Sequence, residues 1–203
     1  MRTVNLIFVF SLLICRVSYS QVAFGVKAGA NLATVSDPEL PDNSFDPIIK
    51  AAYHFGFFTN SQMNGKLSLT TDLLYSNKGL NNNEANFRFH YVNVPVLLNY
   101  AILDNLNISL GPEFGVLLSA NFKLNDDKFD VSPYYNNRFD VGLDIGLAYS
   151  FNNMLNAGVR YNYGLSNVLG DSQFTDTVTG TSYDSSVKNR VIQLYIGYVV
   201  TRN

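Results

Sequence analysis

The sequence is short of several residue types, and each shortage excludes a class of protein. Its 203 residues include one Cys, two His and no Trp, so a disulfide scaffold is excluded and no metal or cofactor site is expected. Charged residues make up only 15% and the net charge is −2, which argues against nucleic-acid binding through phosphate contacts. No run of about 18 apolar residues occurs, so no membrane-spanning helix is predicted.

Apolar and aromatic side chains, by contrast, are abundant. Hydrophobic residues make up 47% of the chain, which has 15 Phe, 13 Tyr and 14 Gly. A mean hydropathy of +0.03 is too high for a disordered chain. At this length, one folded domain is the expected organisation.

The first 20 residues have the pattern of a secretion signal. Arg2 supplies a positive start, residues 6–14 form a short apolar core, and Ser18 and Ser20 occupy the −3 and −1 positions of a cleavage site before Gln21. We therefore predict a signal peptide over 1–20 and a single domain over 21–203. Cleavage would remove Cys15, and a cysteine-free chain suits an oxidising periplasm.

The rest of the chain alternates apolar and polar residues in eight segments. A period of two is typical of strands with two different faces, and we find no convincing amphipathic helix. The predicted fold class is therefore all-β. The eight segments are 22–33, 50–60, 66–76, 91–101, 106–120, 138–151, 154–166 and 191–200.

The two faces of these segments differ in a way that indicates lipid on one side and a narrow lumen on the other. The apolar faces carry no charged residue, whereas ten of the 14 Gly lie on the polar faces. A lipocalin-like barrel in water would need many Lys and Glu on its polar face, and a membrane barrel needs the reverse arrangement. Because the bore of an eight-stranded barrel holds only packed side chains, we predict that the apolar faces contact outer-membrane lipid.

Short and long connections alternate along the chain, as in outer-membrane barrels with tight periplasmic turns and large extracellular loops. The prediction is an eight-stranded antiparallel up-and-down transmembrane β-barrel in the bacterial outer membrane, with both termini in the periplasm. The short connections are 61–65, 102–105 and 152–153, and the long ones are 34–49, 77–90, 121–137 and 167–190.

Ionisable residues on the polar faces are the candidate site. In a narrow lumen, unpaired charges would be costly, so cations and carboxylates should pair. We expect a structural network that plugs the barrel, and a gated pore or ligand path is the alternative. The residues predicted to join in one network are Lys27, Asp72, Glu113, Asp144 and Arg160.

Several sequence blocks, in order, carry a family resemblance. FGVKAGANLATVS, DLLYSNKG, YVNVPVLLNY, LGPEFGVLLSA, FDVGLDIGLAYSF and VRYNYGLSNV together resemble the PorT-type outer-membrane β-barrel domain family, which is common in Bacteroidota. The resemblance covers 22–200 and implies an eight-stranded outer-membrane barrel. The family is named after a member involved in protein secretion, and most members have no assigned activity.

The functional prediction is a monomeric barrel that is not an enzyme and that contacts a protein partner through its extracellular loops. Loop 167–190 is long and polar and is the favoured contact surface. Three alternatives stay open: a narrow solute channel, an accessory of protein secretion, and a lipid A hydrolase that would use His90. The hydrolase is the weakest alternative, because no nucleophile motif is present.

Overall fold

The computed structural model describes residues 22–36, 49–81, 85–124, 127–132, 138–167, 173–175, 182–184 and 188–202. The predicted signal peptide lies outside these residues, so it stays a prediction. The strands are β1 (Val22–Val35), β2 (Lys50–Gln62), β3 (Leu67–Asn81), β4 (Ala85–Leu103), β5 (Leu106–Leu124), β6 (Asp127–Asp130), β7 (Phe139–Ser150), β8 (Leu155–Gly164), β9 (Gln173–Thr175), β10 (Ser182–Asp184) and β11 (Asn189–Arg202).

Eight of these strands form a closed antiparallel barrel, which confirms the predicted fold class. Each barrel strand pairs with the next in the order β1, β2, β3, β4, β5, β7, β8 and β11. β11 then pairs back onto β1, from Ala23 opposite Arg202 to Val35 opposite Asn189. Closure leaves no open strand edge around the barrel, which is the condition for a sheet in lipid.

The predicted orientation of the two faces is also confirmed. Leu143, Leu194 and Ile196 point outward and are 44%, 49% and 61% exposed, whereas Lys27 and Asp144 point inward and are 5% and 0% exposed. The outer surface is therefore an apolar band, which hydrocarbon solvates well, and the ionised groups are kept away from it.

The two ends of the barrel differ in their connections. At one end, here called the turn end, the strands are joined by turns 63–66, 104–105 and 151–154, and the described chain begins and finishes there. Asparagine side chains shape two of these turns: Asn64 Oδ1 accepts the backbone N–H of Leu67, and Asn152 Oδ1 accepts that of Leu155. The opposite end is called the loop end.

At the loop end the structure corrects the predicted connections. Residues 77–90 and 121–137 were predicted to be loops, but β3 continues to Asn81, β4 begins at Ala85, and β5 continues to Leu124. β6 then pairs with the end of β5 and widens this extension. Gly79 helps the ladder to continue, because its φ of 138° is one that side-chain-bearing residues rarely adopt.

The loop predicted at 167–190 contains a small hairpin of β9 and β10, in which Ser182 pairs with Thr175. Within the described part of the chain, no helix is long and apolar enough to cross a bilayer.

Candidate functional site in the barrel lumen

Four charged residues meet near the middle of the lumen and are here called the lower cluster: Lys27, Asp72, Asp144 and Arg160. Asp72 Oδ2 accepts from Lys27 Nζ at 2.7 Å and from Arg160 Nη2 at 3.0 Å. Arg160 Nη1 lies 3.6 Å from Asp144 Oδ2. All four side chains are almost completely buried. With two cations and two carboxylates, the cluster is neutral as a whole, which offsets part of the cost of burying it.

A second group, the upper cluster, lies nearer the loop end and consists of Lys78, Glu113 and Asp140. Lys78 Nζ donates to Glu113 Oε1 at 2.8 Å and lies 3.8 Å from Asp140 Oδ2. It also sits 5.2 Å from the centre of the Tyr91 ring, a distance at which the ring face attracts a cation. One cation thus serves two carboxylates.

Neutral amides connect the charged groups to the barrel wall. Asn162 donates to Asp144 at 2.6 Å, Asn189 donates to Asp140 at 2.8 Å, and Asn93 donates to Glu113 at 2.8 Å. His54, buried like these amides, has its Nδ1 2.7 Å from Asn31 Oδ1. These bonds fix the carboxylates and supply part of the hydrogen bonding that water would otherwise provide.

The five residues predicted to form one network all point into the lumen, but they do not form one group. Lys27, Asp72, Asp144 and Arg160 make the lower cluster, whereas Glu113 belongs to the upper cluster. Its cation, Lys78, was missed because it lies within the predicted connection 77–90. The parity of Asp72, Leu74, Ser76 and Lys78 along one strand was the signal that would have found it.

On the turn-end side of the lower cluster the lumen is open and forms a cavity of about 350 Å³, here called the turn-end cavity. Its wall is made mostly of short polar side chains, and Lys27 and Arg160 stand at its inner end. Asparagine amides and hydroxyls dominate the wall: Asn60, Asn99, Asn107, Asn152, Asn153, Asn156, Ser68, Thr70, Ser109 and Ser150.

Above the upper cluster, the extension of β4, β5 and β6 carries a row of aromatic rings, here called the aromatic surface: Phe87, Phe122 and Phe129. A bulge after His90 shifts the pairing of β4 with β5, so that Phe87 comes opposite Phe122 and Phe89 opposite Ala120. The Phe87 and Phe122 rings are 4.8 Å apart, and Phe122 is followed by Phe129 at 6.3 Å. Phe129 is 49% exposed.

His90, the residue on which a hydrolase would depend, lies in this extension at the bulge. Its Nδ1 is 2.6 Å from the Tyr75 hydroxyl and 3.2 Å from the Asn77 amide nitrogen. The Tyr75 and His90 rings stack with centroids 5.8 Å apart. No group of three or more His, Cys, Asp or Glu with metal-binding geometry occurs among the residues that the structure describes.

The chain is similar to known outer-membrane barrels. NspA, a Neisserial surface protein, is 15% identical, with 88% of this chain and 98% of that chain covered and a TM-score of 0.53. Ail of Yersinia pestis is 14% identical over 90% and 99% of the two chains, with a TM-score of 0.48. OmpW of E. coli is 12% identical over 87% and 98%, with a TM-score of 0.38. No curated protein matches the sequence.

A family model described as outer membrane protein beta-barrel domain matches residues 16–170. The match spans well over half of the chain and includes every barrel strand except β11, which closes the barrel against β1. The chain therefore belongs to the outer membrane protein beta-barrel domain family and is a β-barrel of the bacterial outer membrane.

Proposed function

We propose that this barrel is a sealed scaffold that acts through its loop end, contacts a protein partner there, and has no enzymatic activity. The observation that carries the proposal is the contrast between a bore filled with paired charges and an aromatic surface held above it. The proposed orientation puts the loop end outside the cell and both termini in the periplasm. In this proposal the barrel works as a monomer surrounded by lipid.

The ion pairs support the sealed bore because they join strands that are not neighbours, and the pair of Asp72 with Arg160 links opposite walls of the barrel. Asp72 on β3 bonds both Lys27 on β1 and Arg160 on β8, and Lys78 on β3 bonds Glu113 on β5. A permeating solute would have to separate these buried pairs, which is costly. We expect planar bilayers containing the purified protein to show no conductance steps. Reproducible openings, with insertion verified by protease protection in matched vesicles, would favour the narrow channel instead.

The aromatic surface supports a protein contact because it lies beyond the membrane. Phe122 follows the turn-end residue Leu106 by about 16 residues, which is roughly 40 Å along the barrel axis at a strand tilt of about 40°. The apolar band of such barrels is only about 25 Å tall. An exposed ring such as Phe129 at that height meets water or a partner rather than lipid.

The contact can be tested by crosslinking in intact cells with Phe129→Ser. We expect a crosslinked adduct of the wild-type protein that is lost in this variant. Phe151→Ser is the matched control, because Phe151 is an exposed ring at the turn end. An adduct that survives Phe129→Ser, or the absence of any adduct, would contradict the proposed contact.

The orientation can be tested with single cysteines, because the predicted cleavage of the signal peptide would remove Cys15. Ser132→Cys at the loop end should react with an impermeant maleimide on intact cells, and Ser150→Cys at the turn end should not. The reverse result would place the loop end in the periplasm.

Two further candidate functions are an accessory role in protein secretion and lipid A hydrolysis. Membership of the PorT-type subgroup would suggest an accessory role in secretion, and loss of secreted proteins on deletion of the gene would support it. A hydrolase based on His90 predicts altered lipid A masses on deletion. Unchanged masses in a His90→Ala strain would dismiss it.

A further inference from the structure

The charged residues that line the turn-end cavity are mostly cations, and the proposed role as a sealed scaffold does not require them. Five charged residues line the cavity: Lys27, Lys66, Asp104, Arg160 and Arg202. Four of them are cations and one is a carboxylate. The cavity is thus biased toward negatively charged solutes, although the protein as a whole has a net charge of −2.

The two cations of the lower cluster face this cavity, and its two carboxylates do not. Lys27 and Arg160 belong to the cavity wall, whereas their partners Asp72 and Asp144 lie behind them, toward the loop end. The neutral cluster therefore acts as a dipole whose positive end faces the open half of the lumen. A negative group in the cavity approaches the two cations before it meets either carboxylate.

Arg160 has hydrogen-bonding capacity left for such a group. Its side chain is 2% exposed, and its Nη2 donates to Asp72 at 3.0 Å. Its Nη1 faces Asp144 Oδ2 at 3.6 Å, and its Nε has no hydrogen-bond partner among the described residues. Buried guanidinium N–H groups are normally satisfied, and a planar fork of donors matches the oxygens of a phosphate or a carboxylate.

The remaining wall suits the rest of a small polar molecule. Asn99 Nδ2 already donates to Thr70 Oγ1 at 2.8 Å and to Ser68 Oγ at 3.2 Å, so these side chains are held in place. Amides and hydroxyls both donate and accept, and therefore bind hydroxylated or amide-bearing groups. A volume of about 350 Å³ accommodates a small molecule but not a folded segment.

We infer that the turn-end cavity is a binding site for a small oxyanion, a phosphate or carboxylate group on a polar molecule, with Arg160 as its main donor and Lys27 beside it. The ligand enters from the turn end and stops at the lower cluster. The site is separate from the loop-end surface, so either proposal can fail without the other.

The test uses the purified full-length barrel in detergent, titrated calorimetrically with inorganic phosphate and, in a second arm, with succinate. The two arms distinguish phosphate from carboxylate ligands. Arg160→Lys keeps the charge and removes the Nε donor together with the planar guanidinium, and we expect about tenfold weaker binding. Arg138→Lys is the matched control, because Arg138 is exposed at the loop end, and it should bind as the wild type does.

A second variant covers the case in which Arg160→Lys does not fold. Ala148→Phe places a ring in the cavity wall at a residue outside the lower cluster, and it should abolish binding while the barrel keeps its heat-modifiable gel mobility. Thr70→Cys adds a reporter of position, because bound anion should slow its modification by a thiol reagent. Absence of binding to both probes, or unchanged binding in Ala148→Phe, would overturn the inference.

Discussion

The two halves of the lumen are built from the same eight strands but are filled in different ways. In the loop-end half, inward side chains are long and charged, and they meet across the bore in the lower and upper clusters. In the turn-end half many inward side chains are short, such as Ser68, Thr70 and Ser109, and they leave a cavity. Side-chain length at inward positions, rather than strand geometry, thus decides whether this barrel is sealed or open.

If the loop-end half is held by its charges, the largest loss of stability should come from Asp72→Asn. The change leaves Lys27 and Arg160 as buried cations without their shared carboxylate, which should cost about 3–5 kcal/mol of unfolding free energy. The measurement is urea unfolding followed by gel mobility. Asp104→Asn, in a turn of the open half, should change stability by less than about 0.5 kcal/mol. Equal losses in the two variants would remove the distinction between the halves.

The upper cluster should show a similar but smaller effect. Lys78→Met leaves Glu113 and Asp140 facing each other, and we expect a loss of about 3 kcal/mol. The double variant Lys78→Met with Glu113→Met should recover part of it, because an apolar pair replaces one of the two uncompensated carboxylates while Asp140 keeps only its hydrogen bond from Asn189. Additive losses in this double-mutant cycle would show that the two side chains are not coupled.

Replacement of a lumen asparagine should also cost more stability in the loop-end half than in the turn-end half. Asn162→Ala removes the 2.6 Å bond to the buried Asp144 carboxylate, which should cost about 1.5–3 kcal/mol. Asn99→Ala in the wall of the turn-end cavity should cost less than about 1 kcal/mol, because Ser68 and Thr70 are within reach of water there. Stability can be compared by the same urea assay, and an equal or larger loss in Asn99→Ala would contradict the contrast.

The smallest expected contrast concerns packing at two glycines. A Cβ at Gly29 would meet the Leu194 backbone oxygen and the His54 ring, neither of which can move freely, so Gly29→Ala should cost about 1–2 kcal/mol. A Cβ at Gly197 would have the Asn156 amide as its nearest neighbour, with Oδ1 at 2.6 Å. Asn156 lies in the cavity wall and can turn aside, so Gly197→Ala should be nearly neutral. A larger loss in Gly197→Ala would show that the open half is packed as tightly as the other.

The fold and the inward direction of the charged residues were predictable because lipid imposes a strict rule. Outward positions in the membrane must be apolar, so the parity of Lys27, Asp72, Asp144 and Arg160 could be read from the alternation alone. Which charges pair depends on the stagger between strands, and the sequence does not encode that stagger in any local pattern. Glu113 was accordingly grouped without the cation that it pairs with, Lys78.

The extension of β3, β4 and β5 could not be predicted for a related reason. Beyond the lipid band, outward residues need not be apolar, and the alternation fades at Asn77, Asn81 and Arg88. Asn and Gly also have low strand propensity. The bulge after His90 then reverses the parity of β5, so even a continued pattern would have assigned Phe122 to the wrong face.

The pairing of β1 with β11 has a consequence for how the barrel folds. Every other seam between barrel strands joins neighbours along the chain, but this one joins strands that are more than 150 residues apart. The entropy of closing that loop must be overcome before the last row of backbone hydrogen bonds can form. Pairing of β1 with β11 is therefore expected to be the slow and final step of folding. A chain in which this pair has not formed would keep two strand edges with unpaired backbone groups, which hydrocarbon does not tolerate.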